Sequence, residues 1–235
     1  MNSHCLYCDD RIRGEWTWTK LFSASREQML CGSCCGKLEK ITGSVCMVCS
    51  RPLPLLDTKY IHGTICHDCV RWEQDPEWRG LLANNVSIYQ YNEFFKELLA
   101  RFKYRGDYAL AKAFGASVRN FLSKKTFDLL IPIPLSPERL LERGFNQSKA
   151  LAEEAGFQVN EVLERVHGEK QSKKSRNERI HLQQVFTVPE RADVSEKEIL
   201  LIDDIYTTGS TIRHAALVLK KAGAKNVSAF TLARG

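Results

Sequence analysis

Residues 199–211 read ILLIDDIYTTGST, from Ile199 to Thr211. Four apolar residues lead into the carboxylates of Asp203 and Asp204, and hydroxyl side chains then surround Gly209. A continuous apolar run of this kind is typical of a strand that is buried on both faces of a parallel sheet. Apolar residues then recur at the spacing of one helix face, at Ile212, Ala215, Ala216 and Leu219. We therefore predict a buried strand, a loop and a helix, with the loop at the sheet edge where α/β proteins bind ligands.

The predicted loop has the composition of a phosphate-binding site. Gly209 allows a ligand to approach the backbone closely, and the N–H groups from Thr207 to Thr211 can converge at the positively polarised start of the helix. Asp203 and Asp204 would repel a phosphate, but they can accept hydrogen bonds from sugar hydroxyls or hold a divalent metal ion. The same residues would also suit an Asp pair before a Ser/Thr-capped helix that binds nothing. The chemistry indicates a phosphorylated sugar and leaves the ligand-free alternative open.

The order of these groups resembles a known loop. An apolar strand, an Asp-Asp pair and a Thr-Gly-Ser-Thr segment are similar to the 5-phosphoribosyl 1-pyrophosphate (PRPP) loop of type I phosphoribosyltransferases. The resemblance implies an α/β fold with a parallel sheet, in which the two acids contact the ribose diol, act as the catalytic candidates and work with Mg2+. Carried over, the acids are Asp203 and Asp204, and the groups around the 5-phosphate are Thr207, Thr208, Gly209, Ser210 and Thr211.

Composition places the chain among globular proteins. Its 235 residues are 43% hydrophobic and 26% charged, which excludes an intrinsically disordered chain. The 34 Lys and Arg residues against 28 Asp and Glu give a net charge of +6, which permits an anionic partner without requiring one. No apolar run approaches the roughly 18 residues of a membrane span, and no secretory signal pattern is visible. We expect a cytoplasmic protein without a membrane span.

Nine cysteines lie between Cys5 and Cys69, and eight of them form four Cys-x-x-Cys pairs. In a reducing compartment such pairs favour metal over disulfides, and four thiolates around one ion form the closed, structural zinc site. Sequential pairing predicts two ribbon-like zinc sites, although the spacing alone also permits a cross-braced arrangement. Thiol redox chemistry normally uses one exposed pair, so it fits four clustered pairs poorly. The first predicted site comprises Cys5, Cys8, Cys31 and Cys34, and the second comprises Cys46, Cys49, Cys66 and Cys69, with Cys35 left over.

The cysteine-rich pattern ends near residue 80. We therefore predict a small zinc-binding domain at 1–80 and a parallel-sheet α/β domain at 81–235. Periodicity in the second domain predicts strands over Val86–Tyr91, Phe127–Leu135 and Val227–Leu232, and helices over Phe94–Phe102, Tyr108–Leu122 and Gln147–Ala155.

Two arginines follow the strand that ends at Pro134 and Leu135. Arg139 and Arg143 are four residues apart, so they share one side of a helical turn, which suits a polyphosphate. Glu138 and Glu142 can neutralise both arginines, which makes a solvated turn the simpler interpretation from charge alone.

The surrounding sequence resembles a narrower family. Residues 131–135 read IPIPL, and the arginines lead into Gly-Phe-Asn-Gln-Ser at 144–148. This arrangement resembles the signature of the ComF family, phosphoribosyltransferase-like proteins of bacterial competence. Members of that family also have an N-terminal cysteine unit and an element similar to Lys103–Asp107, so the resemblance spans essentially the whole chain. It implies that Arg139 and Arg143 help bind PRPP.

The ComF resemblance also implies a function and partners. It implies DNA uptake in natural transformation, in which the protein handles single-stranded DNA beside the competence helicase ComFA and lies peripheral to the uptake machinery. Residues 167–179 are polar, hold five basic residues against two acidic ones and lack periodicity, which predicts a mobile loop. Although a solvated basic loop is the simpler interpretation of its lysines, the candidate contacts to nucleic acid are Lys103, Arg105, Lys170, Lys173, Lys174 and Arg176.

Two alternatives to the DNA-uptake hypothesis stay open. The first is an active phosphoribosyltransferase, in which Asp203 and Asp204 stabilise the ribosyl centre while Arg139, Arg143 and Mg2+ hold the departing pyrophosphate. No set of residues in the sequence identifies the acceptor. The second is a non-catalytic scaffold that docks a partner through its zinc unit.

Overall fold

The computed structural model describes residues 4–12, 28–104, 106–166 and 185–235 of the chain. Its cysteine-rich part consists of turns and short elements: α1 (Gly32–Gly36), β1 (Ile61–His62), β2 (Ile65–Cys66) and α2 (His67–Gln74). Strands β1 and β2 pair in an antiparallel hairpin, and α2 begins directly after it.

The α/β part begins after this hairpin unit. In chain order its elements are β3 (Asn85–Gln90), α3 (Glu93–Tyr104), α4 (Leu110–Leu122), β4 (Leu129–Pro132), α5 (Pro137–Arg143), α6 (Gln147–Glu154), β5 (Glu164–Arg165), β6 (Phe186–Thr187), β7 (Glu198–Tyr206), α7 (Ser210–Lys221) and β8 (Asn226–Arg234). The predicted strands and helices of this part are confirmed, with ends that differ by a few residues.

A parallel four-stranded sheet organises the described part of the α/β region. Its strand order is β3-β8-β7-β4, and each neighbouring pair is parallel. Pro132 lies in β4, at one edge of the sheet, where a missing backbone donor is tolerated. The parallel sheet expected from the phosphoribosyltransferase resemblance is thereby confirmed, and the carboxyl ends of β4, β7 and β8 meet at one edge.

Strand β7 is longer than the apolar run from which it was predicted. Strand β7 continues through both carboxylates, because Asp203 pairs with Thr231 and Tyr206 pairs with Arg234 of β8. Only residues 207–209 therefore lie between β7 and α7, and the two acids are held by a central strand.

Alternate residues of β7 belong to two different cores. Ile199 and Leu201 pack in the core that contains α7 and the second group of four cysteines. Leu200 and Ile202 pack in the core built with α3, α4 and α6, as the two-residue period of a strand requires. The second group of cysteines therefore shares a core with the sheet.

The first group of cysteines packs elsewhere. Cys5, Leu30 and Cys34 form a small core that contacts Phe94 of α3 and Ala113 of α4. The domain boundary near residue 80 remains a prediction. Among the helices of the described residues, none combines the length and apolarity that a membrane crossing needs.

Candidate functional site

A carboxylate pair lies near the carboxyl end of β7. Asp203 Oδ1 accepts hydrogen bonds from the Ser148 hydroxyl and from the backbone N–H of Asp204, both at 2.9 Å. Asp204 Oδ2 lies 2.7 Å from Lys103 Nζ, and the two side chains are only 7% and 17% exposed. Helices α3 and α6 thus each supply one partner to the pair.

Burial, and after it the neighbouring negative charge of Asp204, raise the pKa of Asp203 to about 7. The positive charge of Lys103 and the hydrogen bonds from Ser148 and the Asp204 backbone oppose that rise. Asp203 therefore changes its charge near neutral pH.

The structure gives Lys103 a different setting from the predicted one. It was predicted to contact nucleic acid, but its ammonium is paired with a buried carboxylate of the site, because α3 ends beside β7. The tertiary contact that places it there has no signature in the local sequence. The other nucleic-acid candidates lie outside the described residues: Arg105, Lys170, Lys173, Lys174 and Arg176.

The turn after β7 requires glycine at position 209. Gly209 has a φ of 84°, and a Cβ atom there would lie 2.1 Å from the Tyr206 hydroxyl oxygen. The backbone N–H of Ser210 donates to Thr208 Oγ1 at 3.3 Å, and α7 begins at Ser210. Thr207, Thr208 and Thr211 are exposed, so this 207–211 loop offers hydroxyls and helix-start N–H groups to the solvent.

Two side chains from outside the loop hold its carbonyl groups. Trp72 Nε1 donates to the Thr208 carbonyl at 3.0 Å. Arg234 Nη1 donates to the carbonyls of Tyr206 at 3.1 Å and Thr207 at 2.9 Å. Neither residue was among the predicted site residues, because the contacts span 136 and 27 positions of sequence.

The two predicted phosphate-binding arginines have different surroundings. Arg139 is exposed near the start of α5, whereas Arg143, at its end, is only 8% exposed. Arg143 Nη1 donates to Gln147 Oε1 at 2.8 Å, and its guanidinium lies 5.4 Å from the ring centre of Tyr104. Arg139 is thus accessible to a ligand, while Arg143 is engaged within the protein.

Arg165 was missed by the sequence reasoning. It lies on β5, and its guanidinium is 5.6 Å from the ring centre of Phe186. Burial lowers its pKa, the positive charge of Arg139 lowers it further, and the negative charge of Asp203 opposes the change. Arg165 therefore lies close enough to interact with both Arg139 and Asp203.

The cysteines group in the sequential order and not in the cross-braced one. We call the groups cluster I (Cys5, Cys8, Cys31 and Cys34) and cluster II (Cys46, Cys49, Cys66 and Cys69). In each cluster the four sulfur atoms lie within 4.8 Å of one another. Neighbouring sulfurs are 3.6 Å apart in cluster I and 3.7 Å apart in cluster II.

These distances fit zinc and not disulfides. Tetrahedral Zn–S bonds of about 2.3 Å would put sulfurs about 3.8 Å apart, whereas a disulfide bond is about 2.05 Å long. Each cluster could therefore hold one metal ion, as the sequence predicted, and four thiolates are the ligand set of a structural zinc site.

The chain was compared with known proteins. Residues 140–235 match the family model described as the phosphoribosyl transferase domain. Competence protein ComFC of Bacillus subtilis (strain 168) is 41% identical over 98% of this chain and 94% of its own length. ComFC of Streptococcus pneumoniae (strain R6) is 35% identical over 98% of this chain and 99% of its own length.

More distant similarity was also found. Competence protein F of Haemophilus influenzae (strain Rd) is 25% identical over 87% of this chain and 96% of its own length. A solved structure of the allosteric regulatory enzyme of purine biosynthesis covers 52% of this chain and 25% of its own chain, with 21% identity and a TM-score of 0.36, which is too low to bear on the fold. The near full-length similarity to the two ComFC proteins agrees with the motifs around Arg139 and Asp203, and the chain therefore belongs to the ComF family of phosphoribosyltransferase-like competence proteins.

Proposed function

We propose that this protein acts in DNA uptake during natural transformation and binds PRPP with Mg2+ at the carboxyl edge of its sheet. Membership of the ComF family supports a role in competence. The observation on which the PRPP proposal mainly rests is the pair Asp203 and Asp204, placed by a buried central strand immediately before the Gly209 turn and the start of α7.

The carboxylates retain free acceptor capacity for a sugar. Asp203 Oδ1 and Asp204 Oδ2 are engaged by Ser148 and Lys103, but no side chain of the described residues bonds Asp203 Oδ2 or Asp204 Oδ1. Two oxygens of one carboxylate pair are suited to the two hydroxyls of a ribose, or to a Mg2+ ion that holds them.

The charges around the pair suit the phosphates at both ends of PRPP. The N–H groups at the start of α7 are suited to the 5-phosphate, because a helix start carries a partial positive charge. Arg139 and Arg165 are suited to the pyrophosphate, because guanidinium groups bind phosphate oxygens in pairs. Thr207, Thr208 and Thr211 add exposed hydroxyl groups.

Titration calorimetry with PRPP and Mg2+ tests this proposal. The wild-type protein should bind, and Asp203→Asn combined with Asp204→Asn should abolish binding. Asp57→Asn is the matched control, since Asp57 is an exposed acid at the start of a short 3-10 turn and should bind as the wild type does. No binding by the wild type, or undiminished binding by the double variant, would contradict the proposal.

We also propose contact with single-stranded DNA. The basic segment at 167–179 and the net charge of +6 support it. Fluorescence anisotropy of a labelled oligonucleotide should show affinity that falls with salt, with a slope of about 0.7 per neutralised phosphate. The slope should fall by up to about 3 when glutamine replaces Lys170, Lys173, Lys174 and Arg176.

The matched control for DNA binding replaces Lys124 and Lys125, two exposed lysines after α4, and should leave the slope nearly unchanged. A slope that does not respond to the 170–176 substitutions would exclude this segment as the DNA contact. Partnership with the helicase ComFA is tested by co-elution of the two purified proteins, and separate elution would contradict it.

One observation favours a second function, the transfer of the phosphoribosyl group. Because the pKa of Asp203 is raised to about 7, this carboxylate can take up a proton near neutral pH. The proton would come from the acceptor, which is the substrate that receives the phosphoribosyl group. In that reaction the bond between the ribosyl carbon and pyrophosphate breaks as the acceptor forms its own bond to the carbon. Release of pyrophosphate from PRPP only when a cell-derived acceptor is present would support transfer. If no pyrophosphate is released, the protein binds PRPP without transferring its phosphoribosyl group.

A further inference from the structure

One side chain joins cluster II to the 207–211 loop. Arg234 ends β8 and is only 4% exposed. Its Nε and Nη2 both donate to Cys49 Sγ at 3.4 Å, while its Nη1 donates to the carbonyls of Tyr206 and Thr207 at 3.1 and 2.9 Å. A single rigid guanidinium therefore contacts a metal-binding sulfur and the backbone of the loop at once.

Helix α2 makes a second connection. It contains Cys69 of cluster II, and one turn later Trp72 donates to the Thr208 carbonyl at 3.0 Å. The Trp72 ring centre lies 5.1 Å from the guanidinium of Arg213, which is fully buried in α7. Helix α2, which carries a cysteine of cluster II, thus contacts both the loop at Thr208 and the following helix α7 at Arg213.

The charge of a metal centre explains why Arg234 lies there. Four thiolates around a divalent ion leave a net charge of about −2, and donors that bond such sulfurs are oriented by that charge. Metal binding deprotonates the thiols and orders the segments that carry them. Without the metal, Arg234 would lose the charge of the metal centre that orients it, and α2 would lose the metal bonds that fix its start.

We propose that cluster II is a positioning element for the phosphate-binding loop, acting through Arg234 and Trp72. This inference rests on the proposed PRPP site. With metal in cluster II, the carbonyls of residues 206–208 are held on one side of the turn, so the following N–H groups are preorganised for a phosphate. Cluster I has no such role.

Cluster I supplies the matched control. The guanidinium of Arg101 lies 4.1 Å from the ring centre of Tyr7 and donates to the Tyr7 carbonyl, between Cys5 and Cys8. Tyr7 in turn packs edge-on against Phe94 of α3, with ring centres 4.8 Å apart. Arg101 therefore holds the backbone beside cluster I, whereas Arg234 bonds a sulfur of cluster II, and none of the contacts of Arg101 within the described residues reaches residues 206–210.

The experiment compares Arg234→Ala, Trp72→Phe and Arg101→Ala with the wild type in the full chain. Three quantities are measured: zinc per chain, the dissociation constant for PRPP with Mg2+, and hydrogen exchange of the amides at 206–210. Trp72→Phe retains an aromatic ring, removes the N–H that donates to Thr208 and replaces no metal ligand, so it tests the loop contact even if Arg234→Ala folds poorly.

We expect Arg234→Ala to weaken PRPP binding by about 10- to 100-fold, the same scale on which loss of a hydrogen-bonded partner of a metal ligand lowers metal affinity or activity. Trp72→Phe should weaken binding less while retaining two zinc ions, and both variants should exchange the loop amides faster. Arg101→Ala should match the wild type in affinity and in loop exchange. In the wild type, removal of the cluster I ion alone should leave the affinity unchanged, and removal of both ions should reproduce the Arg234→Ala result.

Two failures are distinguishable. If the wild type does not bind PRPP, the proposed function fails, and loop exchange still tests the connection because it needs no ligand. If the wild type binds, and Arg234→Ala and Trp72→Phe match it in both affinity and loop exchange, the positioning role of cluster II is overturned. Equal weakening by Arg101→Ala would overturn it too, because the effect would then be general destabilisation.

Discussion

Asp203 is a half-buried carboxylate whose pKa is raised to about 7, chiefly by burial and then by the charge of Asp204. Its Oδ1 atom accepts from Ser148, so its orientation is fixed while its charge is not. An ionised carboxylate accepts hydrogen bonds at both oxygens, whereas the protonated form donates from one of them. The protonation state of this one residue should therefore control sugar binding.

We predict that PRPP affinity rises between pH 6 and pH 8, with a midpoint near 7, because Asp203 ionises over that interval. Calorimetry at several pH values, in buffers of different ionisation enthalpy, should also detect proton release on binding near pH 7. In the Asp203→Asn variant residue 203 cannot ionise, so any remaining change of PRPP affinity with pH comes from the ionisation of the ligand. A wild-type profile identical to that of the variant would contradict the prediction.

The same shift affects stability. Because the pKa of Asp203 in the folded protein, about 7, lies above its ordinary value of 3.8, the folded state retains the proton longer than the unfolded state. Its contribution to stability is greatest below about pH 4 and is lost as the pH rises through about 7. Asp203→Asn should therefore raise the melting temperature at pH 8 and change it little at pH 4. Equal effects at both pH values would contradict this.

The ion pair between Lys103 and Asp204 should contribute far more to the stability of the protein than an exposed ion pair on the same helix. Lys103→Met leaves a buried carboxylate unpaired and should destabilise the protein by about 3–5 kcal/mol. Lys96→Met is the control, since Lys96 and Glu93 form an exposed pair in α3 and contribute at most about 1 kcal/mol. Chemical denaturation measures both changes, and similar values for the two variants would contradict the burial argument.

At the scale of the element, the turn between β7 and α7 depends on the absence of a side chain. Gly209→Ala should abolish PRPP binding and lower stability, because its Cβ would overlap the Tyr206 hydroxyl and the backbone has a positive φ. Gly43→Ala is the control, since Gly43 has a φ of 78° with open space around it. It should cost about 1–2 kcal/mol from strain alone and leave binding intact.

The central elements could be predicted because their patterns are local. The apolar run of β7 and the helical spacing of α7 lie in consecutive residues, so periodicity alone located them. The end of β7 could not be found in this way, because Asp203 and Tyr206 belong to the strand only through pairing with Thr231 and Arg234 of β8.

The predicted site was incomplete for a related reason. Arg139 and Arg143 have the same residue type and similar neighbours, yet packing against Tyr104 and Gln147 buries only Arg143. Arg165 has no motif around it and approaches the site only through the fold. Local sequence patterns do not indicate which side chains from distant segments will be in contact.

At the scale of the whole molecule, the two cysteine clusters differ in access to solvent. Cys8 of cluster I is exposed, whereas the cysteines of cluster II are 0–2% exposed. We predict two zinc ions per chain, with the ion of cluster I lost first to a chelator. A coloured chelator should show two kinetic phases, and a Cys8→Ser variant should remove the fast one. One phase, or loss of the slow phase in Cys8→Ser, would contradict this order.

The order of strands in the sheet has a consequence for synthesis on the ribosome. Strand β8 lies between β3 and β7, so β3 can bond residues 39–41 early but cannot join the parallel sheet until residues 226–234 have been made. At about 5–20 residues per second, the 144 positions between Gln90 and Arg234 take roughly 7–30 s to translate. Cluster I needs nothing from β8 and can take up its metal on the nascent chain, whereas cluster II receives Arg234 only near the end. We therefore predict that cluster I can complete its surroundings early in synthesis, whereas cluster II lacks its Arg234 contact until translation is almost finished.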